Sequence, residues 1–495
     1  MAYQNLGSEL HDWKIKIREL ALKNGLDFFE VVFEVLSSKE MSEVAALGGF
    51  PTRYPHWRFG MDFEKLDKQH SYGMGKIYEM VINTDPCYAY LLGSNGMLEQ
   101  KLVMAHVYGH SDFFKNNYTF SKTNRKMLDQ MANHAQRIRR YQEQHGVEVV
   151  EEFIDACLSL ENLIDQRYPG GKLPGQDKKE EEAAVEKTKV HRFETKGYMD
   201  KFVNPKEYID KQKLQIEEDK NVELLRKFPR QPVRDVLLFL TENAPLETWQ
   251  QDVINIIRQE AYYFAPQGQT KIMNEGWASF WHSKMLTEEI LNDSEIVDFA
   301  CLHAGTLETA PGGLNPYKLG ISLFRDIEYR WDNGQFGAEW EACKDPEAKA
   351  NWKRETNLGR AKIFEVRKLY NDVSFVDTFL TEDFCRRHKM FNFAMNDRSG
   401  QQEIESRDFK SVKERLLSQL TNFGMPVIEV EDANYENRGE LHLVHRHYGQ
   451  DIKGDRAQET LAKLHQIWKR PVLLSTKREG KDETIRFEGE EQKAI

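Results

Sequence analysis

Cysteine is scarce in this chain. Its five residues, Cys87, Cys157, Cys301, Cys343 and Cys385, are odd in number, scattered, and set mostly among apolar neighbours. That distribution excludes a disulfide framework or a cysteine-rich metal site, and fits reduced, buried thiols in a cytosol. Long apolar runs are missing too. No stretch approaches the roughly 20 apolar residues that a membrane-spanning helix needs. The opening residues, MAYQNLGSELHDWKIKIREL, form a charge-rich amphipathic pattern without the apolar centre of a signal peptide. A cytoplasmic protein with no membrane span is therefore expected. Lys and Arg (69) are outnumbered by Asp and Glu (80), for a net charge of −11. That balance argues against general nucleic-acid or anionic-membrane binding.

Several motifs are absent as well. There is no His-Glu-x-x-His, and Val107 stands where a zinc peptidase of that type carries its general base. No Glu-x-x-His occurs, so the ferritin-like di-iron pattern is missing. Neither Gly-x-x-x-x-Gly-Lys, Gly-x-Gly-x-x-Gly nor Gly-x-Ser-x-Gly is found, which removes the common nucleotide-binding and serine-hydrolase readings.

Two apolar segments carry the candidate chemistry. In YYFAPQGQTKIMNEGWASFWH, a loop holding Pro266, Gly268 and Gln269 is expected to lead into a helix with Glu275 and His282 seven positions apart, on one face. Asn274 is a candidate cap near its start. In KLVMAHVYGHSDFFKNN, His106 and His110 stand four apart on another helical face, the spacing that lets two imidazoles grip one cation. If the two helices pack side by side, His106, His110, Glu275 and His282 could close a four-ligand shell in a helical core. Asp112 is a candidate base, or a group that orients a histidine from behind. Tyr108 could stabilise an oxyanion, but its place on the helix points it away from the 106/110 face. His303 is a reserve ligand, with a hydrogen-bonded histidine at a helix end as the plainer alternative. Arg53, His56 and Arg58, in the aromatic segment GGFPTRYPHWRFG, could line a pocket; pairing with core carboxylates or backbone carbonyls is the alternative. His442, His445 and His447 face opposite sides of one strand, which suits surface or interface residues better than a metal site.

With 495 residues, two or three domains and a large core are expected. Helical patterns are read over 8–36, 76–93, 96–117, 122–143 and 147–165. Others follow over 233–242, 246–263, the Glu275/His282 segment, 317–331, 357–370 and 376–389. PGGKLPGQDKKEEEAAVEKTK marks an exposed charged segment. PVIEVED, GELHLVHRHY, RPVLLSTK and ETIRFEG read as strands, with DRAQETLAKLHQIW as a helix among them. The predicted fold is thus mainly α: a large multi-helix domain with a charged insertion, plus a small C-terminal α+β domain. The expected boundaries are 1–168 and 231–395 for the two parts of the helical core, 169–230 for the linker or insertion, and 396–495 for the small domain.

GGFPTRYPHWRFG, KIYEMVINTDPCYAYL, QKLVMAHVYGHSDFFKNN, EAYYFAPQGQTKIMNEGWASFWH and GLNPYKLG resemble the hallmark segments of the SpoVR family (stage V sporulation protein R) over essentially the whole chain. The resemblance implies a part in forming the spore cortex, a peptidoglycan layer, or in envelope and stress physiology in bacteria that make no spores. It brings no settled reaction. Two functions remain open. One is a metal-dependent hydrolase acting on a cell-wall precursor or peptide-like bond, with a divalent ion (Zn, or Fe/Mn) held by His106, His110 and Glu275 and with His282 as fourth ligand or acid/base. The other is a scaffold or regulatory protein with a buried polar network and unidentified protein partners. The sequence does not fix the oligomeric state.

Overall fold

The computed structural model describes residues 7–72, 77–167, 227–309, 313–395, 401–489 and 492–494. The predicted charged insertion at 169–230 lies almost wholly outside the described residues.

The chain runs through α1 (Ser8–Lys23), β1 (Val31–Leu36), α2 (Ser38–Ala46), α3 (Trp57–Ser71), β2 (Glu79–Ile82), β3 (Cys87–Leu92), α4 (Met97–Asn116), α5 (Met127–His145) and α6 (Val147–Leu158). Then come α7 (Val236–Asn243), α8 (Thr248–Gln269), α9 (Lys271–Met285), α10 (Ile296–Thr306), α11 (Pro316–Asp332), α12 (Gly359–Leu369) and α13 (Asp372–Phe379). After these lie β4 (Asn392–Met395), β5 (Gln402–Ser406), α14 (Phe409–Leu420), β6 (Ile428–Tyr435), β7 (Glu440–His445), α15 (Gly454–Trp468), β8 (Val472–Arg478), β9 (Lys481–Phe487) and β10 (Gln492–Ala494). Labels are given to helices of eight residues or more. The fold is mainly α, as the sequence predicts, and no helix among the described residues is long and apolar enough to cross a membrane.

Two compact units form, one within Met1–Gln144 and Tyr263–Gly424, the other within His145–Tyr262 and Met425–Ile495. These limits differ from the expected boundaries. The β4–β5 hairpin and α14 belong with the helical unit, while α6, α7 and most of α8 group with the C-terminal strands. One tie that local pattern cannot reveal is the bridge between Val233 and Val430 in the second unit.

In the first unit, α4 and α9 are buried on nearly every side, from Gln100 to Phe114 and from Ile272 to Met285. Helices apolar all round belong in the centre of a core, not on its surface. α4 starts where the Glu99 carboxylate accepts the Gly96 amide at 2.8 Å. α9 starts where Asp372 of α13 accepts the amides of Ile272 (2.8 Å) and Met273 (2.9 Å), two donors that the first turn leaves unpaired. Small residues let these helices approach closely. A Cβ on Gly109 would lie 2.7 Å from Ala278 Cα, and one on Gly276 would lie 2.4 Å from Gly320 of α11. Trp277 and Trp281 fill the space beyond, fully buried.

Beside these helices lies a small sheet of order β1-β3-β2, with β1 parallel and β2 antiparallel to β3. Here the structure corrects two expected helices: the helix read over 8–36 stops at Lys23, and 76–93 holds β2 and β3. Short apolar runs such as VVFEVL and CYAYLL suit helix and strand alike, and β1 finds its partner some fifty residues away (Val31 opposite Cys87), which local periodicity cannot show. The loop expected at Pro266, Gly268 and Gln269 is the last turn of α8. A Cβ at Gly268 would stand 2.7 Å from the Phe423 ring, which would have to shift to admit it. The end of the aromatic segment GGFPTRYPHWRFG begins α3 at Trp57.

The second unit carries a five-stranded sheet, β10-β9-β8-β7-β6, in which only β7 and β8 run parallel. α15 makes the crossover between them and buries Leu461, Leu464 and Ile467. Glu479 and Gly480, both at positive φ, form the two-residue turn that joins β8 to β9. The three histidines of β7 and the loop after it act separately: His442 bonds Ser475 and buried His445 bonds Thr476, while His447 bonds Asp451.

Candidate metal centre

The packing of α4 on α9 brings His106, His110 and Glu275 together. One donor atom from each lies within 4.8 Å of the other two. His106 Nε2 is 3.4 Å, and His110 Nε2 3.5 Å, from Glu275 Oε2. The rings of His106 and His110 stand at 89° with centroids 4.4 Å apart. Two bonds of about 2.1 Å meeting at a tetrahedral angle hold their donor atoms about 3.4 Å apart. These separations are therefore what one ion shared by the three side chains requires.

The surroundings orient both imidazoles. His110 Nδ1 bonds Asn274 Oδ1 at 2.9 Å, which fixes a proton on Nδ1 and turns Nε2 toward Glu275. Asn274 thus sits inside α9 as a partner of His110, and not at the helix cap. His106 Nδ1 faces His282 Nδ1 at 2.8 Å, and His282 Nε2 faces His303 Nδ1 of α10 at 3.4 Å. Both nitrogens of His282 are occupied in this line, so it stands behind His106 instead of completing a four-ligand shell. The reason is axial distance. Seven residues return a side chain to the same face but carry it about 10.5 Å along the helix, too far for Glu275 and His282 to share one ion. His303 continues the line and borders a cavity of about 620 Å³, with Lys284 and Arg325 in its wall.

Burial sets the charges. It pulls His106 down to about 4, helped by His110, against the pull of Glu275. It takes His282 well below the ordinary value, with His106 and His303 adding to the effect, and lowers His303, to which Arg325 contributes. For His110, burial acts downward, but Glu275, Asn274 and Glu79 outweigh it and the pKa rises. Burial also raises Glu275, yet the two histidines prevail and hold it far below the usual carboxylate range. His106 is thus neutral beside the ionised Glu275 carboxylate, whereas His110 holds its proton more tightly than a free imidazole and must release it for an ion to bind.

Two groups that sequence reasoning missed complete the surroundings. Glu79 of β2 interacts electrostatically with His110 and Glu275, and burial pushes its pKa to about 7. Tyr317, at the start of α11, lies close enough to Glu275 that burial and the carboxylate together raise its pKa, and stacks near His106 with centroids 6.1 Å apart and planes at 22°. An acid inside the apolar run IYEMVI was the available signal for Glu79. Nothing local pointed to Tyr317.

Other candidates are placed elsewhere. Asp112 lies roughly 200° around α4 from His110. It accepts the Asp27 amide and the Trp277 indole N–H, each at 2.8 Å, with Arg367 Nε 3.5 Å away. It therefore anchors core packing on a side of α4 away from His106 and His110. Tyr108 packs against Phe28 and Phe33. His56 caps α3 by accepting the Arg58 amide, and Arg53 lies over the Phe59 ring at 4.6 Å.

Comparison with known proteins covers nearly the whole length of the chain. The family model described as "SpoVR like protein" matches residues 5–425, and "SpoVR-like C-terminal domain" matches residues 426–479. A protein of Escherichia coli (strain K12), described as "Uncharacterized protein YcgB", is 32% identical over 483 residues, covering 92% of this chain and 89% of that protein. No solved structure matches. The chain belongs to the SpoVR family.

Proposed function

We propose that this SpoVR-family protein is a divalent-metal-dependent hydrolase whose ion is held by His106, His110 and Glu275. The observation that carries the reading is the convergence of two imidazole nitrogens and one carboxylate oxygen, drawn from separate helices, at spacings that suit a single ion. Two histidines and a carboxylate with an open position form a donor set used by catalytic zinc and by iron or manganese alike. Such an ion supplies a water whose pKa is lowered to about 7.

The protein's own groups do the rest. Asn274 holds the His110 tautomer. With its Nε2 committed to the ion, His106 donates from Nδ1 to His282, and His282 passes its Nε2 proton toward His303. Glu79 takes the place of the acid missing at position 107, as general base. Tyr317 stands beside Glu275. The bond class is an amide or ester, and the family's association with the spore cortex points to a cell-wall precursor or peptide-like substrate.

The test is hydrolysis of p-nitrophenyl acetate by metal-loaded protein. Removing a general base typically costs about 10²–10⁴ in rate, so Glu79→Gln is expected to fall by that order. Equal rates for wild type, Glu79→Gln and metal-stripped protein would rule out the hydrolase.

One observation favours a second reading. The His282–His106 contact, the His110–Asn274 bond and the approach of Glu275 to both rings give His106 and His110 partners without any ion, as a scaffold with a polar core would require. On that reading the purified protein is folded and metal-free.

A further inference from the structure

A cavity of about 290 Å³ lies at the β4–β5 hairpin, bounded by the start of α11, the turn after the short helix Glu382–Arg387, and α14. Its charge is one-sided. Lys318, Lys389 and Arg415 line it, and no Asp or Glu is among the described lining residues. Lys318 and Lys389 form no ion pair with a described residue. Arg415 donates to Phe393 O at 3.2 Å, which ties it to the hairpin, and its one carboxylate partner, Glu405 at 3.4 Å, stands outside the lining. Three cations around a small space repel one another, and an anion placed between them relieves that repulsion.

The remaining wall mixes polar side chains, among them Asn315, Asn392 and Gln402, with a cluster of rings. The His388 ring stacks on buried Phe384 with centroids 4.2 Å apart and planes at 25°, and Phe391 and Phe393 stand nearby. Burial and neighbouring Arg387 hold His388 below its ordinary pKa, so at neutral pH it presents an uncharged ring. At about 30 Å³ per water, the space equals roughly ten waters, enough for a ligand of about as many non-hydrogen atoms.

We propose that this cavity binds a small anion bearing a flat apolar group, of the aryl phosphate class. Three separate cationic groups match a doubly charged, three-oxygen head better than a planar carboxylate, and the guanidinium can address two of its oxygens at once. The stacked rings receive the flat part. The site uses none of the residues of the His/Glu centre, so it stands or fails independently of the proposed hydrolase.

The experiment is calorimetric titration of the full chain, at low salt, with phenyl phosphate, inorganic phosphate and phenol in separate arms. Phenyl phosphate is expected to saturate with Kd of about 0.1–1 mM, a range suited to a fragment of this size, with each half-ligand about tenfold weaker or more. Lys389 sits at φ +53°, a conformation that favours glycine. Lys389→Gly therefore removes a charge without straining the fold. Combined with Lys318→Ala, it is expected to weaken phenyl phosphate about tenfold or more, with the urea midpoint unchanged or higher. The proposal is overturned by the absence of saturable binding, by equal affinity in the double variant, or by inorganic phosphate binding as tightly as phenyl phosphate.

Discussion

Gly109→Ala tests how the centre is assembled. A Cβ at position 109 would stand 2.7 Å from Ala278 Cα, where ordinary contact begins at 3.4 Å, so α4 and α9 must part by about 0.7 Å. Both contacts are with atoms of α9 close to its backbone, and no flexible side chain can swing aside. His106 and His110 ride on α4 and Glu275 on α9, so the same movement enters the separations of 3.4 and 3.5 Å. Metal-ligand bonds tolerate only about 0.2 Å. The variant is expected to lose about tenfold or more in metal affinity, read by competition with a chromophoric chelator, and about 1–3 kcal/mol of stability in urea, the usual cost of overpacking. Gly60→Ala is the control: nothing lies within 4 Å of its Cβ in α3. It is expected to be neutral or to gain up to about 1 kcal/mol, with metal affinity unchanged. Wild-type metal affinity and an unchanged urea midpoint for Gly109→Ala would refute the claim that this contact sets the ligand spacing.

Other outcomes follow from the same packing. Trp277→Phe removes the indole donor from buried Asp112 and is expected to cost about 1–3 kcal/mol in urea unfolding, with the secondary structure retained by circular dichroism. Asn274→Ala frees the Nδ1 proton of His110 and is expected to weaken metal binding about tenfold, measured by the same chelator competition, with little loss of helix. Burial raises Asp372 to about 7 from an ordinary 3.8. Between those values the folded chain holds a proton that the unfolded chain has released, so this group's contribution to stability falls as pH rises from about 4 toward 7. In urea melts across that range, wild type is expected to lose stability relative to Asp372→Asn; a constant difference would contradict the assignment.

The sequence showed most where chemistry and geometry are both local. His106 and His110 share one helix turn, and Glu275 lies on a helix whose apolar character marks it as central, so these three were legible as partners. Facing alone puts His282 with Glu275, but the rise along the helix carries it to His106 instead. Glu79 and Tyr317 come from β2 and the start of α11, elements that only the folded chain brings to the site. β1 and β3 were hidden for the same reason: their hydrogen bonds lie between distant segments, whereas those of α4 are recorded in its own periodicity. The strands and helix of the C-terminal sheet were readable from alternating residues and turn signals. The grouping of α6 and α7 with that sheet depends on tertiary contacts such as Val233 with Val430.

The most direct measurement is elemental analysis of the full chain purified without an affinity tag, by inductively coupled plasma mass spectrometry. Wild type is expected to carry close to one divalent transition-metal ion per chain, and His106→Ala and Glu275→Gln to carry almost none while keeping their helical content. Folded wild type free of metal, or metal retained unchanged in both variants, would contradict the account.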